Sequence, residues 1–252
     1  MLKLENIDLA LWQGSKLERK ILQKLNLTVN KGELIIVIGG NGTGKSTMLN
    51  VISGELAPTA GKIILDNEDI TNIPQYKRSV NIAKVMQDPK VGTMENMTIL
   101  ENMAFAYMRG ANRGFYVYNN TKREKLFQEK LSMLGMGLEN RLNELVANLS
   151  GGQRQALSLI MAIIANSKLL LLDEITAALD PKMAESVLKI AIQIITEAKL
   201  TTIMITHNMT HAIQYGNRTL LLANGQFVKE FNYPDKSTLT PMALAAEFGI
   251  VA

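Results

Sequence analysis

The chain has 252 residues, 47% of them hydrophobic and 20% charged. That is enough for one large globular domain, or a core carrying a smaller lobe, and it excludes disorder, collagen and a small disulfide scaffold. There is no cysteine, there are two histidines (His207 and His211), and the net charge of +4 comes without a run of five like charges; structural disulfides and thiolate metal sites are therefore excluded, a reducing cytoplasmic compartment is the expected address, and no nucleic-acid partner is expected.

The opening MLKLENIDLA lacks a basic segment followed by a long apolar stretch, and no window reaches the roughly 18 apolar residues of a membrane span, so a soluble chain without a classical export signal is expected. Leu2 to Leu11 and Ile21 to Val29 read as two strands joined by the polar GSKLERK, a small antiparallel sheet. Four continuous apolar runs follow: Leu34 to Ile38, Ile82 to Met86, Leu169 to Leu172 and Thr202 to Ile205. Continuous runs, unlike alternating ones, predict strands buried on both faces, the habit of a parallel sheet. They lead in turn into GGNGTGKST, Gln87, Asp173-Glu174 and Thr206-His207. Polar groups at the carboxyl ends of several parallel strands mark the ligand crevice of an open α/β sheet.

Helices are predicted at Lys45 to Ser53, Gln153 to Asn166 and Pro181 to Ala198, the last with Asp180 as N-cap and proline at its first position. Between residues 88 and 146 the texture becomes Met- and Asn-rich, with Thr98 and Glu101 spaced as a capping box and Gly110, Gly114, Gly135 and Gly137 as punctuation. This segment reads as a helical subdomain inserted into a core made of 1–87 and 147–231. Past Gly225 the chain ends in one strand and a short helix from Pro241 to Phe248, with residues 232–252 as a short C-terminal extension.

Gly39 to Ser46 matches G-x-x-x-x-G-K-S/T directly after a strand and before a helix. In such a loop Gly39, Gly42 and Gly44 let main-chain N–H groups around Asn41 and Thr43 wrap phosphates, Lys45 reaches the β and γ oxygens, and the Ser46 hydroxyl, followed by Thr47, meets Mg²⁺. By chance the pattern arises in about one chain in a hundred of this length, so a bare glycine turn is a poor explanation. Leu169 to Glu174 would deliver Asp173 to a metal shell and Glu174 to an attacking water. Leu149-Ser150-Gly151-Gly152-Gln153 sets a second serine–glycine loop before a helix, suited to another phosphate. One chain thus offers two phosphate cradles and one P-loop.

GGNGTGKST, LSGGQ and LLLLDE sixteen residues past Gln153 together resemble the nucleotide-binding domain of ABC ATPases, across nearly the whole chain. The resemblance implies a P-loop NTPase (RecA-like) α/β core with a mainly parallel sheet, an N-terminal antiparallel β subdomain and the inserted helical subdomain. It also implies ATP and Mg²⁺ as cofactors, and a homodimer in which Ser150, Gly151, Gly152 and Gln153 of one copy close on ATP held by the other. Gln87 resembles the glutamine touching Mg²⁺ and the attacking water, Asp180 in Ala178-Leu179-Asp180 the loop at the dimer interface, and His207 the switch histidine at the γ-phosphate. Catalysis is expected from Glu174 with His207, Gln87 and Lys45, metal binding from Ser46, Gln87 and Asp173. His211 keeps a structural reading.

The family stacks adenine on an aromatic of the first strand. Here Leu11 occupies the aligned position and Trp12 the next, so either Trp12 stacks from a shifted register or an aliphatic platform serves; Trp12 is the expected residue. Ile175 is an unusual neighbour for the catalytic glutamate. The segments VIGGNGTGKST, TAALDPK and THNMTHAIQYGNRT look similar to ATPases paired with branched-chain-amino-acid-type permeases. The implied role is the ATPase subunit of a small-solute importer, for an amino acid, perched peripherally on the cytoplasmic face of the cell membrane, with integral membrane permease subunits as partners and a solute-binding protein acting indirectly. A soluble ABC machine and an exporter ATPase are the alternatives. Met94, Met97, Met103 and Met108 offer either a groove for a permease helix or the helical lobe's own core.

Overall fold

The computed structural model describes residues 1–12, 14–110, 121–233 and 235–251; the predicted Gly114 punctuation lies outside them. In chain order the elements are β1 (Leu2–Leu11), β2 (Arg19–Val29), β3 (Leu34–Ile38), α1 (Lys45–Ser53), β4 (Ala60–Leu65), β5 (Glu68–Asp69), α2 (Gln75–Arg78), β6 (Ile82–Val85), α3 (Ile99–Tyr107), α4 (Thr121–Ser132), α5 (Gly151–Ile163), β7 (Leu169–Asp173), α6 (Pro181–Glu197), β8 (Thr201–Ile205), α7 (Met209–Gln214), β9 (Arg218–Ala223), β10 (Gln226–Asn232) and α8 (Pro241–Val251). The residues form two compact units, Met1–Arg78 with Lys199–Ala252, and Ser79–Ala198. Among the described residues no helix is long and apolar enough to cross a membrane.

In the first unit an antiparallel sheet runs in the order β2-β1-β4-β5. Its β1–β2 ladder carries register shifts near Ile7 and Leu9, where Asn6 and Lys24 take positive φ as bulged strands do. Beside it, β3 pairs in parallel with both β8 and β9, and β10 closes the edge antiparallel to β9. Every residue of β3 and β8 is buried, which is why their sequences are continuous rather than alternating. Helix α1 buries Met48, Leu49, Val51 and Ile52. Its last-turn carbonyls are covered by Arg78, whose guanidinium donates to Val51 O at 2.9 Å and Ile52 O at 3.0 Å, so a buried arginine caps the helix that carries the P-loop.

In the second unit β6 and β7 are parallel, and helices α3 to α6 surround the core. The capping box is formed as read: Thr98 N donates to Glu101 Oε2 at 2.7 Å and Glu101 N to Thr98 Oγ1 at 3.2 Å. Those bonds hold the Glu101 carboxyl below its ordinary pKa. Of the methionines, Met103 is buried while Met97 is exposed, so the stretch serves a core and a surface at once.

Strands β4, β5 and β9 and helix α2 were not foreseen. In β4 the buried positions are Ile63 and Leu65, too few for a pattern, and β9 shows only three leucines before Ala223. The helix expected from Gln153 begins at Gly151, because the Ser150 cap winds both glycines into its first turn.

Candidate active site

In the first unit the fully buried β3 ends at Ile38 and the chain enters the glycine loop. Gly42 and Gly44 have φ of +76° and +103°, values that a side chain resists. An ideal Cβ on Gly39 would lie 2.3 Å from Leu222 O, so only glycine allows the loop to pass that close to β9. The loop is stitched by Thr43 Oγ1 donating to Gly40 O at 3.0 Å and Gly225 N donating to Thr43 O at 3.2 Å.

Lys45 is buried at the first turn of α1, and its ammonium donates to Gly39 O at 3.0 Å and Gly40 O at 2.9 Å. A positive charge is thus held inside the curve of the loop, at the positive end of a nine-residue helix. A curved run of main chain around one lysine, with the exposed Ser46 hydroxyl on the helix's first turn, fits the phosphate chain of a nucleotide. Among the described residues no three His, Cys, Asp or Glu side chains gather to hold a metal. The exposed Ser46 hydroxyl is an oxygen donor of the kind that a Mg²⁺ takes.

The register of β3 on β8 pairs Val37 with Ile205, so Gly39 and His207 each lie two residues beyond paired positions at the carboxyl ends of adjacent strands. Thr206 N still donates to Val37 O at 3.2 Å, tying the turn before His207 to β3. His207 is exposed, and Asn208 caps α7 by accepting from His211 N at 3.2 Å. His211 packs its ring 6.0 Å from that of Tyr215. Trp12 follows the last residue of β1 with φ +52° and is 64% exposed, against 37% for Leu11.

In the second unit β7 is buried throughout and delivers Asp173, itself buried, and then Glu174, half-buried at φ +48°. Val85 pairs with Leu172, so exposed Gln87 and Glu174 again stand two residues past partners on neighbouring parallel strands. Ile175 turns into the core, which accounts for an aliphatic residue there. Ser150 Oγ accepts from Gln153 N at 3.2 Å while Gln153 Oε1 accepts from Ser150 N at 3.1 Å. Asp180 Oδ1 accepts from Met183 N at 3.1 Å, the predicted cap of α6. The two loops adjoin: a Cβ on Gly152 would strike Met183, and Gly151 faces Leu179.

Sequence reading missed three supports: Leu222, whose carbonyl walls the P-loop, and Arg154 and Gln155, which hold the segment after β6. Only the glycine at 39 hinted at the first, and nothing local signalled the others.

A family model described as "ABC transporter" matches residues 22–177, more than half of the chain. The chain is 39% identical over 248 residues to the tyrosine transport ATP-binding protein of Clostridioides difficile (strain R20291), covering 98% of each. It is 34% identical over 205 residues to the thiamine import ATP-binding protein ThiQ of Yersinia pseudotuberculosis serotype I (strain IP32953), covering 80% of each. Among solved structures, the dimeric post-hydrolysis state of the ATP-binding cassette MJ0796 bound to ADP and Pi superposes with a TM-score of 0.79 at 27% identity, over 92% of this chain and 98% of that one. The chain belongs to the ABC transporter family as an ATP-binding domain. It has the P-loop NTPase fold of the ABC cassettes and is an ATP hydrolase.

Proposed function

We propose that the chain is the ATP-hydrolysing subunit of an importer for a small solute, an amino acid and first of all an aromatic one. The observation that carries this reading is the end-to-end match, over 98% of both chains, to a protein named for tyrosine transport, joined to an intact P-loop around Lys45. The thiamine import relatives support import as the broader class. Two copies form a homodimer, docked on integral membrane permease subunits at the cytoplasmic face of the membrane, with a solute-binding protein delivering cargo.

In this assignment the loop from Gly39 through Asn41 and Thr43 to Thr47 holds the triphosphate and Lys45 draws charge from the β and γ oxygens. Ser46, Asp173 and Gln87 hold Mg²⁺, which when bound offsets the phosphate charge. Glu174 accepts a proton from the attacking water, with Gln87 and His207 orienting that water and the γ-phosphate. Ser150, Gly151, Gly152 and Gln153 of the second copy complete the site from the far side, next to the Asp180 loop, and Trp12 stacks on adenine. Hydrolysis then releases the two copies, and the permease converts that opening into transport.

The test is uptake by vesicles carrying the chain with its permease and binding protein, scored separately for tyrosine, leucine and thiamine. ATP-dependent accumulation of tyrosine supports the reading. Accumulation of thiamine alone, or ATP-driven efflux, overturns the amino-acid or import assignment respectively.

A further inference from the structure

Helix α5 starts at Gly151 in the LSGGQ segment, the signature loop, and runs on into a buried arginine and a buried glutamine. Gln155 is fully buried, and its Nε2 donates to the main-chain carbonyl of Met86 at 3.1 Å. Met86 follows the end of β6, whose last ladder pair is Val85 with Leu172, so its carbonyl has left the sheet and takes its donor from a side chain. The next residue is Gln87.

One position earlier, buried Arg154 donates from Nε to Thr93 Oγ1 at 2.5 Å and reaches Glu95 Oε2 with Nη1 at 3.3 Å. Thr93 Oγ1 in turn donates to Pro89 O at 2.9 Å. A turn further along, Gly92 lies so close to the helix that a Cβ would stand 2.5 Å from Ser158 Oγ. Three residues of one helix thus grip the segment from Met86 to Glu95 ahead of and behind Gln87, which is itself exposed.

The grip is specific rather than simply space-filling. Gln155 Oε1 is buried without a hydrogen-bond partner among the described residues, a cost that a methionine of similar length would not carry. What the amide contributes over an apolar side chain is its single donated bond to Met86 O.

We propose that Gln155, with Arg154, is a positioning residue for Gln87: it fixes the main chain from which Gln87 projects, and it ties that chain to the helix whose first turn is the Ser150–Gly152 loop. Any tilt of α5 imposed at its signature end is then carried to Gln87 through the Met86 carbonyl. This rests on the role given above to Gln87.

The experiment compares Gln155→Met, Gln87→Ala and the double variant in the full chain, measuring phosphate release and ATP affinity, with thermal melting to verify folding. Gln155→Asn, polar but too short to reach Met86, is the second variant should methionine prevent folding. Gln155→Met is expected to lower turnover roughly 10-fold, within the ~10²-fold that a 1 Å misplacement can cost, with the ATP KM changed less than about 2-fold. Added to Gln87→Ala it should lower turnover no further, because its effect runs through Gln87. Turnover losses that multiply in the double variant, or parental turnover in Gln155→Met beside a crippled Gln87→Ala, overturn the inference alone. Parental turnover in Gln87→Ala overturns the role of Gln87, and this inference with it.

Discussion

Gly39 stands against the main-chain carbonyl of Leu222, so closely that a Cβ at residue 39 would lie 2.3 Å from the oxygen and 2.9 Å from Thr43 Oγ1. Leu222 belongs to β9, held on one side by β3 and on the other by β10, and a carbonyl in a paired strand cannot rotate away. An added methyl must therefore displace the P-loop, and with it the two carbonyls that hold the Lys45 ammonium. Overpacking of this kind costs about 1–3 kcal/mol, and each 1.4 kcal/mol is about tenfold in affinity. Gly39→Ala should bind ATP roughly tenfold or more weakly in a calorimetric titration while retaining its circular dichroism. Parental affinity would show that the loop binds phosphate in some other conformation.

Glu174 leaves the buried β7 at φ +48° and is half-buried. Glu174→Gln keeps the shape and removes the base, so turnover should fall by at least ~10²-fold while ATP is still bound, and light scattering should then report a dimer. In that background Ser150→Arg should return the protein to monomer. Because Ser150 also caps α5, loss of the cap alone destabilises by about 1 kcal/mol; Ser150→Ala separates the two effects, losing the cap but keeping the dimer. An intact dimer with arginine at 150 would exclude the signature loop from the interface.

Lys236 lies between β10 and α8 in a polar stretch, yet it is 1% exposed. Its ammonium donates to Tyr215 O and to Ala212 O, the latter at 3.2 Å, at the carboxyl end of α7. Burial lowers its pKa from 10.5 to about 8. Between those values the unfolded chain carries a proton that the folded chain lacks, so this group adds stability as pH rises from about 8 towards 10.5, and its full burial cost is present below that window. The melting temperature of the parent relative to Lys236→Met should therefore climb between pH 8 and pH 10. A flat difference would mean that the carbonyl cage compensates the charge completely.

Lys236 also marks where sequence reading stops. The P-loop was legible because each of its requirements is local: a glycine where φ is positive, a lysine one residue into a helix, a strand before and a helix after. The same holds for the Thr98–Glu101 box and the Asp180 cap, whose bonds span three residues. Leu222, Arg154 and Gln155 act through partners 183, 61 and 69 residues away, where no periodicity connects the two ends. A buried lysine in a turn reads as a surface lysine until the carbonyls it meets are seen.

Trp12 follows the final ladder pair of β1, Leu11 with Arg19, and its positive φ breaks the strand's alternation, so its side chain is not bound to the face that a continued strand would dictate. Ser15 secures the turn, donating from N at 3.1 Å and from Oγ at 2.7 Å to Trp12 O, while the indole remains the more exposed of the two candidate platforms. Stacking of a base on an aromatic is worth about 1–3 kcal/mol by alanine substitution, so Trp12→Ala should weaken ATP binding by roughly 5- to 150-fold with little change in the turnover of bound ATP. As the chain has one tryptophan, its fluorescence reports the contact directly: ATP should shift the emission of the parent, whereas inorganic triphosphate, which has no base, should leave it nearly unchanged. If Trp12→Ala binds ATP as tightly as the parent and Leu11→Ala does not, adenine rests on the aliphatic side chain at the end of β1.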